Sequence, residues 1–440
     1  MKNSHFDNNY SKIVKTFDSF PLKKKISFFC KLSPLGRQAF LENLSEPEIL
    51  IDKIAVEEIY FTIKSLGLDE ADRLLLLTNS NQLKYILDLE LWNRDRLDFQ
   101  ACVYWLNKIV RLGEDKLFQF LSMADHELLV TIFNKVIRVK SARLDIDLTE
   151  QLDILPPYTL DNIYFIDFRE KVHQEAIMTL LQDIFKWNEL FYFQLMQNLT
   201  TFFCPLEIED MAYKWRNARL ADKGFPDFEE ALEIYRYLPS FFLDKNLSKD
   251  SELLGSNAID SIINYPFVLI PAHCFFRDCL NSITDQWILD RISHELANLA
   301  NKVIVADSMD YGEIEDLTHS LEKVSGYINI ALQNNCGNDI DKGINLLRQF
   351  HMEILFRSGY SLIIDLQREA RSLVKYYIGG LENMGNPLSG LLKGLFYKRP
   401  FYAENVLTNK KPRNFNSLND IDTIRGLLRK KNTEDQWEPI

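Results

Sequence analysis

The first third of the chain repeats itself. Residues 52–87 align with residues 98–133 at an offset of 46 residues, and nine of the 36 aligned pairs are identical. One identical pair is Gly67 with Gly113, which stand where an apolar face with helical spacing ends. Glycine at such a point closes a helix in the left-handed conformation. The spacing predicts stacked short-helix repeats over residues 20–140, because a unit of this length cannot bury its apolar face alone.

The aligned units also share residues that favour helix starts. Asp52 and Asp98 precede apolar positions spaced by four residues, and Asn79 and Asp125 precede a further helix in each unit. One offset earlier, Ser33 stands before a proline. These residue types are favoured N-caps because their side-chain oxygens accept hydrogen bonds from the free amides of the first turn. Helical bundles show similar coincidences without repeating, and that is the alternative interpretation.

Few residues interrupt the helical pattern elsewhere. The 440 residues include 16 glycines and 14 prolines, which favours long helices over many short strands. The four leucines at 74–77 are flanked by charged and polar residues. No stretch reaches the roughly 20 apolar residues that a membrane-spanning helix needs. We therefore expect an all-α fold without membrane insertion, in which helical-bundle regions follow the repeats.

One stretch departs from helical periodicity. In residues 158–168, β-favouring residues flank the pair Asp161 and Asn162, and such pairs are typical of tight turns. The pattern predicts one short β-hairpin near 158–168. An N-terminal extension of the following helix is the alternative.

Changes in composition divide the chain into six predicted segments. They are an N-terminal extension (1–19), a helical-repeat superhelix (20–140), a linker with the possible β-hairpin (141–171), a middle helical region (172–245), a C-terminal helical domain (246–390) and a basic C-terminal segment (391–440).

The middle region contains a two-helix hairpin with clear boundary signals. Gly224 is expected to end the first helix, Asp227 and Glu230 have the spacing of a capping box for the second, and Pro239 stops that helix. Five residues of this hairpin form our candidate ligand or partner site. They are Arg216, Arg219, Asp222, Glu230 and Tyr235.

The first three of these candidate residues fall on one helical face beside the turn. Such a face can bind an anion or dock a partner. The alternative is charge pairing on a helix surface, worth a few tenths of a kcal/mol.

No catalytic motif is present. GxSxG, Walker A, GxGxxG and HExxH are all absent from the sequence. The nearest approach to a metal signature, His273 with Cys274 and Cys279, lacks the second cysteine pair of a zinc site. We therefore expect no catalytic residues, no metal and no cofactor. The six cysteines are scattered through apolar stretches, as reduced thiols are, so we expect a cytoplasmic protein.

Charge is distributed unevenly. The formal net charge of −12 argues against a nucleic-acid partner. Residues 391–431 nevertheless hold ten Lys and Arg residues against three Asp and Glu. This basic segment either contacts a polyanion or packs on the acidic remainder of the chain. The sequence does not decide between these two, nor does it give the oligomeric state.

Several stretches resemble known families. RNARLADKGFPDFEEALEIYRYLP, ELANLANKVIVAD and LFRSGYSLIIDLQREA look like a family of bacterial proteins catalogued as a domain of unknown function, over roughly residues 20–430. That resemblance implies no activity or cofactor. Residues 25–140, through KLSPLGRQAFLENLSEPE, are similar in style to the cytosolic N-terminal superhelix of MgtE-type magnesium transporters and to helical domains of flagellar rotor proteins. This second resemblance implies stacked short helices, and cation sensing as one function.

The sequence supports two functional interpretations. The first is a cytoplasmic helical-repeat interaction or scaffold protein without catalytic activity, whose partner is another protein. The alternative is an enzyme, or a small-ligand or divalent-cation sensor, with a pocket between the middle and C-terminal helical regions.

Overall fold

The computed structural model describes residue 17 and residues 19–143, 145–169, 174–201, 205–239, 262–376 and 380–434. These residues divide into two units. Unit 1 comprises the described residues up to Leu44, Lys53–Ser65 and those from Lys223 onward, and unit 2 comprises Ser45–Asp52 and Leu66–Asp222. This division records which residues pack together and not which segments fold independently. The boundaries of the six predicted segments therefore stay predictions.

Helices account for most of the described residues. In chain order they are α1 (Leu22–Lys31), α2 (Pro34–Leu41), α3 (Pro47–Ile51), α4 (Val56–Leu66), α5 (Asp72–Leu77), α6 (Ser80–Glu90), α7 (Phe99–Leu112), α8 (Glu114–Met123), α9 (His126–Val136), α10 (Leu148–Gln151), α11 (Gln174–Trp187), α12 (Glu189–Thr201), α13 (Pro205–Ala221), α14 (Phe228–Leu232), α15 (Tyr265–Leu269), α16 (Phe275–Ser282), α17 (Gln286–Ala306), α18 (Ile314–Cys336), α19 (Ile340–Gln349), α20 (Met352–Tyr376), α21 (Leu388–Leu395) and α22 (Leu418–Glu434). Short 3-10 turns lie at Glu233–Tyr235, Leu381–Met384 and Glu404–Val406.

Two small antiparallel sheets, both in unit 2, complete the fold. Their strands are β1 (Trp92–Asn93), β2 (Arg96–Leu97), β3 (Ile137–Ser141), β4 (Tyr158–Thr159) and β5 (Tyr164–Phe168). Strand β1 pairs with β2, and the second sheet has the order β3-β5-β4. The expected all-α class with one short hairpin is confirmed, since β4 and β5 form that hairpin. Strands β1, β2 and β3 were not predicted, because each is short and directly follows or precedes a helix.

The hairpin turn has the predicted chemistry. Asn162 adopts a left-handed φ of 59°. The carboxylate of Asp161 accepts hydrogen bonds from the amides of Ile163 and Tyr164, each at 2.8 Å. A short polar side chain that satisfies the turn amides is what makes Asp-Asn pairs favourable at this position.

The aligned segments of the sequence each contain three helices in the same order, α4 to α6 and α7 to α9. Gly67 and Gly113 have φ values of 92° and 113°, as predicted for helix ends. Helix α4 packs in unit 1, except for its last residue, whereas α7 packs in unit 2. Stacking of the two segments as equivalent repeats therefore stays a prediction.

Three of the five predicted caps form. Asp98 accepts hydrogen bonds from the amides of residues 100 and 101, Asn79 forms a capping box with Gln82, and Ser33 accepts from residue 36. The prediction for Asp52 is wrong, because Asp52 ends α3 and α4 begins only at Val56.

Asp125 stands at the N-cap position of α9 without capping it. Its carboxylate instead contacts the side chains of Lys84 and Arg219. Two ion pairs therefore take the place of the predicted helix cap.

The predicted hairpin of the middle region is only partly formed. Helix α13 ends at Ala221, and Gly224 follows with a φ of 83°. Asp227 is at the N-cap position of α14 but makes no capping hydrogen bond. The second helix does not run to Pro239. It ends at Leu232, and the amide of Leu238 donates to Ser361 Oγ on α20 at 2.8 Å, so a tertiary hydrogen bond replaces the helical one.

Three long helices form the centre of unit 1. Helices α17, α18 and α20 pack against one another, and α17 buries apolar residues at helical spacing, among them Ile292, Leu296, Leu299 and Val303. The approach of α20 to α18 depends on a residue without a side chain. A Cβ atom added at Gly359 would overlap the backbone carbonyl oxygen of Tyr327. This close crossing fixes the positions of Tyr327 and of Tyr360, which follows Gly359.

Gly359→Ala should separate α18 from α20. We expect the free energy of unfolding to fall by about 1–3 kcal/mol, because the obstructing atom is backbone and cannot rotate away. Gly426→Ala on α22 is the matched control, since no atom lies within 4 Å of a Cβ at that position. It should leave stability unchanged or raise it by about 0.5–1 kcal/mol. Urea denaturation measures both, and equal effects of the two substitutions would contradict the close crossing.

Candidate functional site

The five candidate residues are divided between the two units. Arg216, Arg219 and Asp222 lie in unit 2, whereas Glu230 and Tyr235 lie in unit 1. The side chains of Asp222 and Glu230 are exposed. Arg216, Arg219 and Tyr235 each make contacts that define their surroundings.

Arg216 and Arg219 connect three helices inside unit 2. Arg216 is buried and donates from Nε to the backbone oxygen of Asp88 at 2.6 Å. Arg219 contacts both carboxylate oxygens of Asp88, at 2.8 and 2.7 Å, and an oxygen of Asp125 at 2.7 Å. Burial raises the pKa of the Asp88 carboxyl, and the Arg219 guanidinium opposes that rise. The ion pairs of Arg219 therefore connect α13 with α6 and with the start of α9, and the hydrogen bond of Arg216 connects α13 with the α6 backbone.

Tyr235 belongs to a different arrangement, centred on Asp307 in unit 1. The Tyr235 hydroxyl lies 3.0 Å from each oxygen of the Asp307 carboxylate. Lys323 Nζ donates to one of those oxygens at 2.6 Å, and Arg399 Nε donates to the other at 2.9 Å. With Tyr327, described below, these residues form what we call the Asp307 cluster. It consists of Tyr235, Asp307, Lys323, Tyr327 and Arg399.

The end of α17 holds Asp307 in place. Ser308 follows with a left-handed φ of 55°. The amide of Ser308 donates to the oxygen of Val305 at 3.1 Å, and the amide of Met309 donates to the oxygen of Ile304 at 2.9 Å. These are the two hydrogen bonds of a Schellman motif. A carboxylate at a helix C-terminus is disfavoured by the helix dipole, so the position of Asp307 requires compensating cations.

The other members come from separate parts of unit 1. Lys323 and Tyr327 lie one turn apart on α18 and therefore share a face. Tyr235 ends a 3-10 turn after α14, and Arg399 lies between α21 and the turn at Glu404–Val406. The Arg399 guanidinium stacks on the Tyr235 ring, with its central carbon 3.7 Å from the ring centroid. This stacking adds a cation–π attraction to the ion pair with Asp307.

Aromatic rings surround the charged groups. The Tyr235 ring centroid lies 5.0 Å from that of Tyr360 and 5.7 Å from that of Phe356. The Tyr327 centroid lies 5.0 Å from that of Phe356 and 6.0 Å from that of Tyr360. Lys323 Nζ is 5.1 Å from the Tyr235 centroid. The charges therefore stand in apolar surroundings, where electrostatic interactions are stronger than in water.

The buried charges do not balance. Side-chain exposure is 9% for Asp307, 4% for Lys323 and 25% for Arg399. One carboxylate faces two cations, which leaves a formal charge of +1. Burial lowers the pKa of Lys323, and Asp307 opposes that change. Burial also raises the pKa of the Tyr235 and Tyr327 hydroxyls, so both stay protonated and able to donate hydrogen bonds.

Tyr327 adds a donor without an acceptor. Its side chain is fully buried, and no group in the described part of the chain hydrogen-bonds to its hydroxyl. Lys323 similarly donates to one described group, Asp307, although an ammonium has three N–H donors. Unpaired buried polar groups are uncommon because each costs about 1–3 kcal/mol. The cluster thus combines an excess positive charge with unused donors.

The sequence could not indicate most of these residues. Tyr235 was a candidate because of the boundary signals before it. Asp307, Lys323, Tyr327 and Arg399 were not candidates, because they are distant in sequence and match no motif. A weak signal was available in VIVAD, where the acidic Asp307 follows an apolar helix end that favours basic residues.

The basic C-terminal segment makes ion pairs within unit 1. Arg399 pairs with Asp307, Arg413 with Glu404 and Asp420, and Arg425 with Glu369. Several cations of this segment thus pair with the protein's own carboxylates.

Among the described residues, no group of three or more His, Cys, Asp or Glu side chains is placed to hold a metal ion. Cys30, Cys102, Cys274, Cys279 and Cys336 are free thiols, and Cys204 lies outside the described residues. In that same part of the chain no helix is both long and apolar enough to cross a membrane.

Two tyrosine substitutions test the hydrogen bonding of the cluster. Tyr235→Phe should lower the free energy of unfolding by about 1.5–3 kcal/mol, because it removes hydrogen bonds to a buried carboxylate. Tyr327→Phe should leave it unchanged or raise it, because the removed hydroxyl has no acceptor. Thermal unfolding of the two variants provides the comparison. A loss in Tyr327→Phe as large as that in Tyr235→Phe would show that the Tyr327 hydroxyl is already paired.

Comparison with known proteins yields a family match over nearly the whole chain. The model of a family of unknown function, DUF6178, matches residues 15–437. No curated protein and no solved structure matches. The expected membership of a family of unknown function is confirmed, and the similarity to the magnesium-transporter superhelix is not shown.

Proposed function

We propose that this chain, which belongs to the DUF6178 family of unknown function, binds a small anion at the Asp307 cluster. The observation that carries this proposal is the charge of +1 in a buried site whose donors are incompletely used. A bound anion would neutralise that charge and accept hydrogen bonds from Lys323 and Tyr327.

The balance of hydrogen-bond donors and acceptors in the cluster supports a ligand site more than a purely structural role. The two arginines inside unit 2 show the structural pattern, since each makes close contacts to Asp88. In the Asp307 cluster both carboxylate oxygens already accept hydrogen bonds, whereas the Tyr327 hydroxyl has no acceptor among the described residues. Arg399 is the most exposed member, so an anion would meet its side chain first.

An anion screen tests this proposal. Sodium phosphate, sulfate and acetate, compared at constant ionic strength, should raise the melting temperature of the unmodified protein. A ligand at ~100 times its dissociation constant stabilises by about 2.7 kcal/mol. Arg399→Gln should abolish the increase. Arg425→Gln should preserve it, because Arg425 lies in the same basic segment with similar exposure and pairs with Glu369 instead.

Equal increases in the unmodified protein and in Arg399→Gln would contradict binding at the cluster. No increase with any of the three anions in the unmodified protein would also contradict it.

An interaction or scaffold role is the second candidate. On α13, Met211 and Trp215 lie one turn apart with exposures of 42% and 54%, and exposed tryptophan is typical of protein interfaces. Trp215→Glu should then remove a stoichiometric partner recovered from the native host, while Arg399→Gln should retain it. Retention of the partner by Trp215→Glu would contradict a role for this face.

A further inference from the structure

We infer that single-stranded nucleic acid binds to one face of α20 and to the segment that follows α21. This surface, which we call the α20 face, consists of Tyr237, Arg368, Arg371, Lys375, Tyr397 and Lys398. It shares no residue with the Asp307 cluster, so the inference is independent of the proposed anion site. The unpaired cations of the surface and its exposed rings lead to it.

Helix α20 carries three cations on one side. Arg368, Arg371 and Lys375 are spaced by three and four residues, which places them on the same face of the helix. All three are exposed. Glu369 lies between them in the sequence, but its carboxylate pairs with Arg425 on α22. The face therefore presents a row of positive charges.

The segment that follows α21 lies beside this face. Gln367 Nε2 donates to the backbone oxygen of Tyr397 at 3.3 Å. The central carbon of the Arg371 guanidinium lies 5.6 Å from the centroid of the Phe396 ring. Lys398, which is exposed, follows two residues later. The cations of α20 and the residues Tyr397 and Lys398 are therefore neighbouring parts of one surface.

Most of these cations lack a carboxylate partner. Within the described part of the chain, Arg371, Lys375 and Lys398 make no ion pair. Arg368 pairs with Asp365 at 3.2 Å, and both side chains are more than one third exposed. In the whole chain, Asp and Glu outnumber Lys and Arg by 63 to 51. The net charge that argued against nucleic acid therefore does not describe this face, which suits a polyanion.

Aromatic rings lie among the cations. Tyr237 is 37% exposed and Tyr397 is 62% exposed. The Arg368 guanidinium is stacked over the Tyr237 ring, with its central carbon 4.2 Å from the ring centroid. Stacking restrains the planar guanidinium, which pairs well with phosphate oxygens. Exposed rings provide faces on which unpaired bases stack, so the surface combines the two contacts that a single strand uses.

A single strand suits this surface better than a membrane or a duplex does. In the described part of the chain, no residue of α20 is an exposed large apolar side chain, whereas a helix that binds a membrane surface needs an apolar face. Bases in a duplex are stacked on one another, and they offer no free face to Tyr397.

Fluorescence anisotropy on the full chain tests the inference. Labelled single strands of oligouridylate and oligothymidylate should each bind about tenfold more tightly than a DNA duplex of the same length, because the rings add stacking to the charge attraction. Affinity should fall as the salt concentration rises, because bound cations are released from the phosphates. The tighter of the two single strands then identifies RNA or DNA as the partner.

Matched variants locate the binding surface. Arg371→Gln combined with Lys398→Gln should weaken binding about tenfold and should flatten the salt dependence, since two phosphate contacts are lost. Arg111→Gln combined with Lys140→Gln removes the same charge from exposed residues of unit 2 and should leave binding unchanged. Tyr397→Ala should weaken binding about tenfold, and Tyr397→Phe should preserve it because the ring is kept.

Each contrary result has a defined meaning. Equal binding of duplex and single strands would overturn the inference, because the rings would then play no part. Displacement of the strand by polyglutamate at equal charge would also overturn it and would assign the surface to an acidic peptide. Unchanged binding in Arg371→Gln with Lys398→Gln, or in Tyr397→Ala, would place the nucleic acid elsewhere. No binding of either single strand would overturn the inference while leaving the anion site of the proposed function intact.

Discussion

The carboxylate of Asp307 is the interaction on which the centre of unit 1 depends. It accepts hydrogen bonds from Tyr235, Lys323 and Arg399, which belong to three separate stretches of the chain. Removing one partner from a buried ion pair typically costs 3–5 kcal/mol, because the remaining charge is left uncompensated. Without Asp307, two cations would face each other among tyrosine rings, and the basic C-terminal segment would lose one of its attachments to the body of unit 1.

That interaction also explains why we propose an anion as the ligand. In unit 2, Arg219 pairs with two carboxylates, those of Asp88 and Asp125. The Asp307 cluster contains a second cation and an unpaired hydroxyl, and both raise the free energy of the folded protein in the absence of a further negative group. Proteins retain such destabilising features at functional sites, where a ligand supplies the missing interaction.

Local features of the fold were predictable from the sequence, and the site was not. Asn79, Asp98 and Ser33 cap helices as expected because capping depends on neighbours within three residues. Asp52 failed as a cap because the preceding helix α3 runs to Ile51 and α4 begins only at Val56. The β4–β5 hairpin followed from its turn residues, whereas β3 was missed because its pairing with β5 joins residues distant in sequence. Asp307, Lys323 and Arg399 meet only in folded unit 1, where the end of α17 lies beside α18 and beside the segment that follows α21, and no spacing in the sequence encodes that meeting.

A crystal structure of the protein grown with acetate is the most direct test of the central claim, that the Asp307 cluster binds a small anion. The account predicts density for acetate with its oxygens within hydrogen-bonding distance of Lys323 Nζ and the Tyr327 hydroxyl. Asp307 should keep its three donors. A structure in which ordered water or a protein group satisfies Lys323 and Tyr327, with acetate absent or bound elsewhere, would contradict the claim.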